Sequence, residues 1–254
     1  MKDAQLFKYS PTVWLVPTLL LSGVWAVFLI QLFGHFYWNK HGIVPRTFSG
    51  LQGVLFSPFL HADWQHLANN SVPLFVLTMA LVYFYRELSL KVLVYGVLIS
   101  GLFTWVIGRS SIHIGASGLI YVLVSFIFFK GLRTGYYRLM ALSFAVVIVY
   151  GGMVWYVFPE VDPKISWEGH LGGFLAGMVF AFLFKTPDYV SEYRYDWEHP
   201  DFDPESDPFM RRFDANGQFV NPPKPEEILV EYEEELGSNL VPIQINYIYK
   251  NAEE

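Results

Sequence analysis

The stretch IHIGASGLIYVLVSFIFF, residues 112–129, sets a small Gly-Ala-Ser-Gly knot at the head of an apolar run. A serine between glycines serves one of two ends. It lets helices pack closely, as small residues commonly do in lipid, or it holds a hydroxyl at the rim of a membrane. No Asp, Glu, Lys or Arg interrupts the run before Lys130. A helix in hydrocarbon is therefore the reading that the rest of the chain has to meet.

Composition meets it. Of 254 residues, 53% are hydrophobic, 19% aromatic and only 16% charged, against about 25% charged in an ordinary soluble domain. Mean hydropathy is +0.33. Such a chain is expected to be all-α and polytopic, crossing a membrane several times. Cysteine is absent, which excludes disulfides, thiolate metal sites and a cysteine nucleophile. The net charge of −6 is unevenly spread. From Lys185 onward 6 Lys+Arg stand against 17 Asp+Glu, a balance of −11, so the remainder carries +5.

Apolar windows lie at 12–33, 66–85, 91–108, 116–132, 138–158 and 166–184. Each is near the ~20 residues that cross ~30 Å of hydrocarbon at ~1.5 Å per residue. The first window is too long for a signal peptide and lacks a small-residue cleavage site, so it counts as a span. The chain then divides into an N-terminal segment (1–11), a six-helix core (12–184) and an acidic tail (185–254). Lys2, Lys8, Arg86, Lys91, Lys130, Arg133 and Arg138 fall on one side, and Lys40, Arg46, Arg109 and Lys164 on the other. That bias puts the N-terminus in the cytoplasm and, with six spans, the tail as well.

The first loop, about residues 34–65, is rich in aromatics, among them Phe36, Tyr37, Trp38, Phe48, Phe56, Phe59 and Trp64. Amphipathic rings favour the headgroup zone, so this loop is expected to lie in the interface. The tail, with EHPDFDPESDP and NPPKPEE, reads as largely disordered. Near its end VPIQINYIYK carries a weak strand signal. No internal repeat supports an inverted-repeat transporter.

Polar groups inside apolar spans are expensive and are default candidates for function. Here they open three helices. The second starts with HADWQHLANN (His61, His66, Asn69, Asn70), the fourth with GASG (Ser117) and the sixth with WEGHLGG (His170). Even-numbered helices of a bundle run the same way, so these sites share one depth. The blander readings are helix packing for Ser117, an interhelical hydrogen bond for His170 and a polar fringe for His66 and Asn70. Their joint appearance on one level favours chemistry.

A serine hydroxyl needs a base to take its proton, and imidazole suits that task near neutral pH. The oxyanion formed on an attacked carbonyl needs donors already in place. His66 and Asn70, spaced i, i+4, share a helix face. The backbone N–H of Ser117 at a helix start adds a third donor. Between Gly115 and Lys130 lie 14 residues, about 21 Å of helix, which submerges the serine in a recess open to water. Gly169, Gly173 and Gly177 form a stripe at intervals of four that allows close approach beside His170. Tyr121, four residues after Ser117, faces the same way and can pack on an imidazole.

With FLHADWQHLANN, GASGLIY and GHLGGFLAG in this order, the chain resembles the rhomboid family of intramembrane serine proteases, in its bacterial six-helix form. The resemblance covers most of residues 12–184. It implies a Ser–His dyad with Ser117 as nucleophile in a GxSG pattern and His170 as base and then acid in an HxxG pattern. His66, Asn70 and the Ser117 backbone would bind the oxyanion. Tyr121 matches a tyrosine that stacks on the base, and His61 a loop histidine of structural role. Gly115, Gly118 and Gly173 support the site. Substrates would be transmembrane proteins within the lipid bilayer, cleaved near their outer end where the strand unwinds. No cofactor, metal or nucleic acid is implied. The location would be the bacterial inner membrane, with both termini cytoplasmic. The Trp-Arg pair that many members carry in the first loop is missing, and LQGVLFSP occupies its place. Glu168, two residues from His170, points elsewhere on the helix and is not a triad acid.

Other chemistries fit worse. A zinc protease needs His-Glu-x-x-His, whereas HADWQH places its histidines at i, i+5. An aspartyl type needs aspartates within the spans, and outside the tail only Asp3, Asp63 and Asp162 exist, at edges. A soluble serine hydrolase shows G-x-S-x-G, which GASGL does not match. A transporter would need more charge inside the bundle. A non-catalytic relative that binds membrane-protein clients stays open, as does the tail's role, either a docking element or a solubilising appendage.

Overall fold

Helices built from these windows must satisfy every backbone group internally, because hydrocarbon offers no partners. The computed structural model describes residues 7–159, 161–162, 165–186 and 195–221. Lys2, Lys164, the strand signal at 241–250 and the tail beyond residue 221 lie outside the described residues. Within them the long elements are α1 (Thr12–Phe33), α2 (Trp64–Phe84), α3 (Arg86–Ile107), α4 (Ser117–Thr134), α5 (Tyr137–Tyr150) and α6 (Trp167–Leu183). The chain is thus an all-helical bundle of the kind the spans require.

Two spans differ from the expectation. The fifth window does not continue as one α-helix to residue 158. After Tyr150 the chain tightens into a 3-10 stretch, Gly151–Val157, where the Gly151-Gly152 pair weakens α-helical preference. The sixth helix has 17 residues, about 26 Å. Among the described residues five helical stretches are long and apolar enough to cross a membrane, the fifth counted with its 3-10 extension, and α6 falls just short.

Burial separates the helices. The most apolar window of α4 is 56% buried, against 17% for α5 with its extension. Leu119, Ile120, Val122, Leu123, Phe126 and Ile127 of α4 pack against Leu67, Leu74, Leu77 and Leu81 of α2 and Leu139 of α5. Outward, Leu90, Ile148, Val149 and Leu183 are exposed, a distribution that only lipid would cover. Polar side chains within the bundle turn back on their own helices: Ser100, Thr104 and Ser125 donate to carbonyls four residues earlier.

α4 and α6 meet along the glycine stripe. A Cβ on Gly173 would strike the Gly118 carbonyl, and one on Gly177 would strike the Ser125 hydroxyl and the Val122 carbonyl. Lys130, counted above as an interfacial charge, turns inward instead. It is buried, and its Nζ donates to Ala181 O at 3.2 Å and to Phe184 O, the terminal carbonyls of α6. A cation suits that end of a helix.

The first loop is a chain of short turns, Trp38–His41, Ser49–Gln52, Gly53–Phe56 and Ser57–Phe59. Arg46 anchors it on the end of α3, donating to Val106 O (3.1 Å) and Gly108 O (2.8 Å), while Trp105 Nε1 donates to Thr47 O (2.8 Å). A Trp and an Arg thus serve this loop after all, from positions 59 residues apart. Phe48, Tyr37 and Leu55 stay exposed.

The described residues 195–221 belong to a second unit. Its described part holds a Tyr195–Trp197 stack and a Phe213–Phe219 bridge. A turn joins the bridge, in which the Asp214 carboxylate accepts from the N–H groups of Asn216 and Gln218.

Candidate active site

The start of α4 is the meeting point. Gly115 has φ +111°, a conformation that L side chains rarely adopt, and its N–H donates to Ser57 O at 2.8 Å. A Cβ there would lie 2.6 Å from His66 Nε2 and 3.4 Å from Asn70 Nδ2. The glycine therefore lets both α2 side chains converge on the backbone two residues before Ser117. On the other flank, a Cβ on Gly118 would sit 3.4 Å from the Gly169 carbonyl. The beginnings of α2, α4 and α6 thus share one end of the bundle, as the parity of the spans requires.

His170 is buried, and its ring stacks on Tyr121 with centroids 4.2 Å apart and planes at 17°. Its Nδ1 lies 3.0 Å from the Tyr156 carbonyl. A carbonyl can only accept, so Nδ1 carries the proton and Nε2 keeps a lone pair, the form a general base needs. Tyr121 is itself held, its hydroxyl donating to Met153 O at 2.6 Å. Both anchoring carbonyls come from the 3-10 extension of α5. Ser117 is half-buried, and among the described residues no direct hydrogen bond joins its hydroxyl to His170. Such catalytic bonds often tighten only when substrate binds.

The α2 side chains also have defined protonation. The Ala62 N–H reaches His66 Nδ1 at 3.5 Å, which places the ring proton on Nε2, the nitrogen nearest Gly115. Asp63 caps α2 by accepting from the His66 N–H at 2.8 Å, so this ring starts from a pinned backbone. Asn70 Nδ2 lies 3.0 Å from His61 Nε2. The amide donates one hydrogen there and keeps the other. His61 must then be neutral at Nε2, and burial, with His66 nearby, lowers its pKa from 6.5 to about 4. Its Nε2 holds the Asn70 amide in place.

A cavity of about 30 Å³ adjoins Ser117, lined in part by Ser57, Ser100, Thr104, His113 and Ser166. That is room for a water molecule with several polar partners. Among the described residues no cluster of ligating side chains could hold a metal. Glu168 is fully buried and accepts from the Arg109 N–H at 2.9 Å rather than touching His170.

Ser117, His170, His66, Asn70, Tyr121, His61, Gly115, Gly118 and Gly173 are all gathered at this end. Sequence reasoning passed over four participants. Tyr156 and Met153 act through carbonyls, which no residue type announces. His113 and Ser166 form a 2.6 Å bond, and a serine opening α6 was readable as a helix cap.

Comparison with known proteins adds a family. A family model described as Rhomboid domain matches residues 49–187. The chain is 36% identical over 186 residues to the uncharacterized protein Rv1337 of Mycobacterium tuberculosis, covering 67% of this chain and 76% of that one. The same figures hold for the uncharacterized protein Mb1372 of Mycobacterium bovis. The uncharacterized protein ML1171 of Mycobacterium leprae is 37% identical over 162 residues, covering 59% of this chain and 62% of its own.

Proposed function

The chain belongs to the rhomboid family, and on that footing we propose that it is an intramembrane serine endopeptidase cleaving transmembrane segments of other proteins. It is an integral membrane protein whose bundle presents the site at one end. In this reading that end faces outward from the bacterial inner membrane, and both termini are cytoplasmic. The six-helix core spans residues 12–184, with the segment 1–11 before it and the acidic tail 185–254 after it.

The reaction follows from the protonation states. Ser117 Oγ attacks the scissile carbonyl carbon while His170 Nε2 takes its proton. The Nδ1–H bond to Tyr156 keeps the imidazolium aimed during that transfer. The new oxyanion accepts from His66 Nε2–H, the free Asn70 amide hydrogen and the Ser117 N–H. When the tetrahedral centre collapses, the C–N bond breaks and His170 returns the proton to the leaving amine. Water, admitted through the polar cavity beside Ser117, then attacks the acyl-enzyme with His170 again as base, and Ser117 is restored.

The observation that carries this reading is the His170 ring, stacked on Tyr121 and bonded through Nδ1, with its free lone pair on the other nitrogen. The alternative, a relative that binds clients without cutting them, draws on the missing direct bond between Ser117 and His170. One experiment separates the two. The protein reconstituted in liposomes is given a single-span reporter substrate, and Ser117 is probed with a fluorophosphonate. Cleavage and labelling are both expected, and both should vanish in Ser117→Ala and His170→Ala. Asn70→Ala should keep labelling but slow turnover by about 10–1,000-fold. Cleavage that survives Ser117→Ala would reject this nucleophile, and a wild type that neither labels nor cleaves favours the client-binder.

A further inference from the structure

A glycine seam brings two helices close, and Gly118, Gly169, Gly173 and Gly177 bring no side chains of their own to fix the register of α4 on α6. Part of it is set by what fills the seam, Ser125 Oγ against Gly177 and the Tyr121 side chain against Gly173, and part by a further constraint at the helix starts. That register decides where Ser117 stands relative to His170.

The loop between α3 and α4 supplies the constraint. His113 is buried, and both its ring nitrogens are engaged. Nε2 faces the Arg109 carbonyl at 3.1 Å, so it is the protonated nitrogen. Nδ1, 2.6 Å from Ser166 Oγ, therefore accepts the serine hydroxyl. Ser166 caps α6, its oxygen accepting from the Gly169 N–H at 3.4 Å, and its carbonyl accepts from the His170 N–H at 3.2 Å. Two further bonds run the same way: Glu168 Oε1 accepts from the Arg109 N–H, and the Arg109 guanidinium donates to Ile165 O at 2.6 Å. His113 is itself fixed from behind, pairing in both directions with Ile43 of the first loop at 2.8 and 2.9 Å.

The positions are telling. His113 stands four residues before Ser117, and Ser166 stands four residues before His170, one helical turn. A single side-chain bond thus joins the lead-in of the nucleophile to the first turn under the base. Lys130 performs the matching task at the far end, gripping the last carbonyls of α6. Resting on the protease reading above, we propose that His113 and Ser166 are positioning residues: their bond sets the register of α4 against α6 and with it the separation of Ser117 and His170.

The test uses the full chain in liposomes with the single-span reporter. His113→Phe and Ser166→Ala should each lower kcat by about 10–100-fold, the cost of roughly 1 Å of misplacement, while KM moves less than about twofold. His113→Asn, which puts an amide acceptor near the place of Nδ1, should recover most of that loss. The double variant should be no worse than the poorer single, because both remove one interaction. Unchanged kcat, losses that multiply, or effects confined to KM would overturn the proposal. If His113→Phe does not fold, Ser166→Ala, which removes one hydroxyl, carries the decision. A second measurement needs no catalysis. The chain lacks cysteine, so a Ser117→Cys/His170→Cys pair can be joined without background by a short bis-methanethiosulfonate, each thiolate displacing one methanesulfinate. Adding Ser166→Ala should slow that cross-linking about tenfold if register is lost; equal rates would overturn the positioning role. An inactive wild type that still shows the cross-linking difference would sink the protease reading and leave the positioning role standing.

Discussion

α4 and α5 are consecutive in the chain and packed together, yet they are held in opposite ways. α4 is enclosed by α2, α3, α5 and α6. It touches α6 along a seam that tolerates no added methyl at Gly173. α5 turns most of its surface outward, with Ile148 84% exposed. Nevertheless the extension of α5 provides the carbonyls that orient Tyr121 and His170. The proposed nucleophile and oxyanion donors are thus built on the enclosed side, and the aim of the proposed base depends on the outward-facing one.

The seam should be the most fragile feature. Gly173→Val forces α4 and α6 apart and is expected to cost about 3 kcal/mol, or about 6–12 °C in Tm, with cleavage lost. A thermal melt in detergent that matched wild type would mean that the α4–α6 seam is packed no more tightly than the outward face of α5.

A pH effect of similar size belongs to the α2 side. Unfolded, His61 takes its proton near 6.5, whereas the folded site resists it until about 4. Between those values the unfolded chain binds a proton that the fold refuses. The stability is complete above pH 6.5 and falls as pH drops toward 4, by about 3 kcal/mol. Protonation would also set an N–H against the Asn70 amide. His61→Gln should flatten the melting profile across this window, and an unchanged slope would take His61 out of the account.

Next comes the α5 contact itself. Tyr121→Phe removes one hydrogen bond and leaves the Met153 carbonyl unpaired, a loss of about 1 kcal/mol, or about fivefold in kcat if it falls on the transition state. A drop of a hundredfold would mean that α5 is held far more tightly than its burial suggests. Least of all should Ile148→Ala matter on the outward face, within about 0.5 kcal/mol of wild type. A larger change would reveal a protein partner where lipid is expected.

Much of the fold was legible because hydrocarbon imposes a coarse rule on sequence. Apolar windows of about 20 residues become helices, and those from Thr12 to Thr134 came out within a few residues. The break at Gly151 was written in a Gly-Gly pair but hidden by the hydropathy around it. The inward turn of Lys130 was not legible, since a lysine near a helix end reads as an interfacial charge until a neighbouring helix offers it carbonyls. At the site, Ser117, His170, His66 and Asn70 stood out as polar groups where polarity is costly. His113 did not, because it lies outside every span.

Taken alone, the order of residues determined a helical membrane bundle and a shared depth for three polar sites. Hydropathy and helix parity act along the chain and need no knowledge of contacts. Only the tertiary structure decided which nitrogen of His170 is free, what holds Asn70, and how α4 is registered on α6. Those depend on partners distant in sequence, several of them backbone carbonyls, and on distances of a few ångströms that no pattern of residue types encodes.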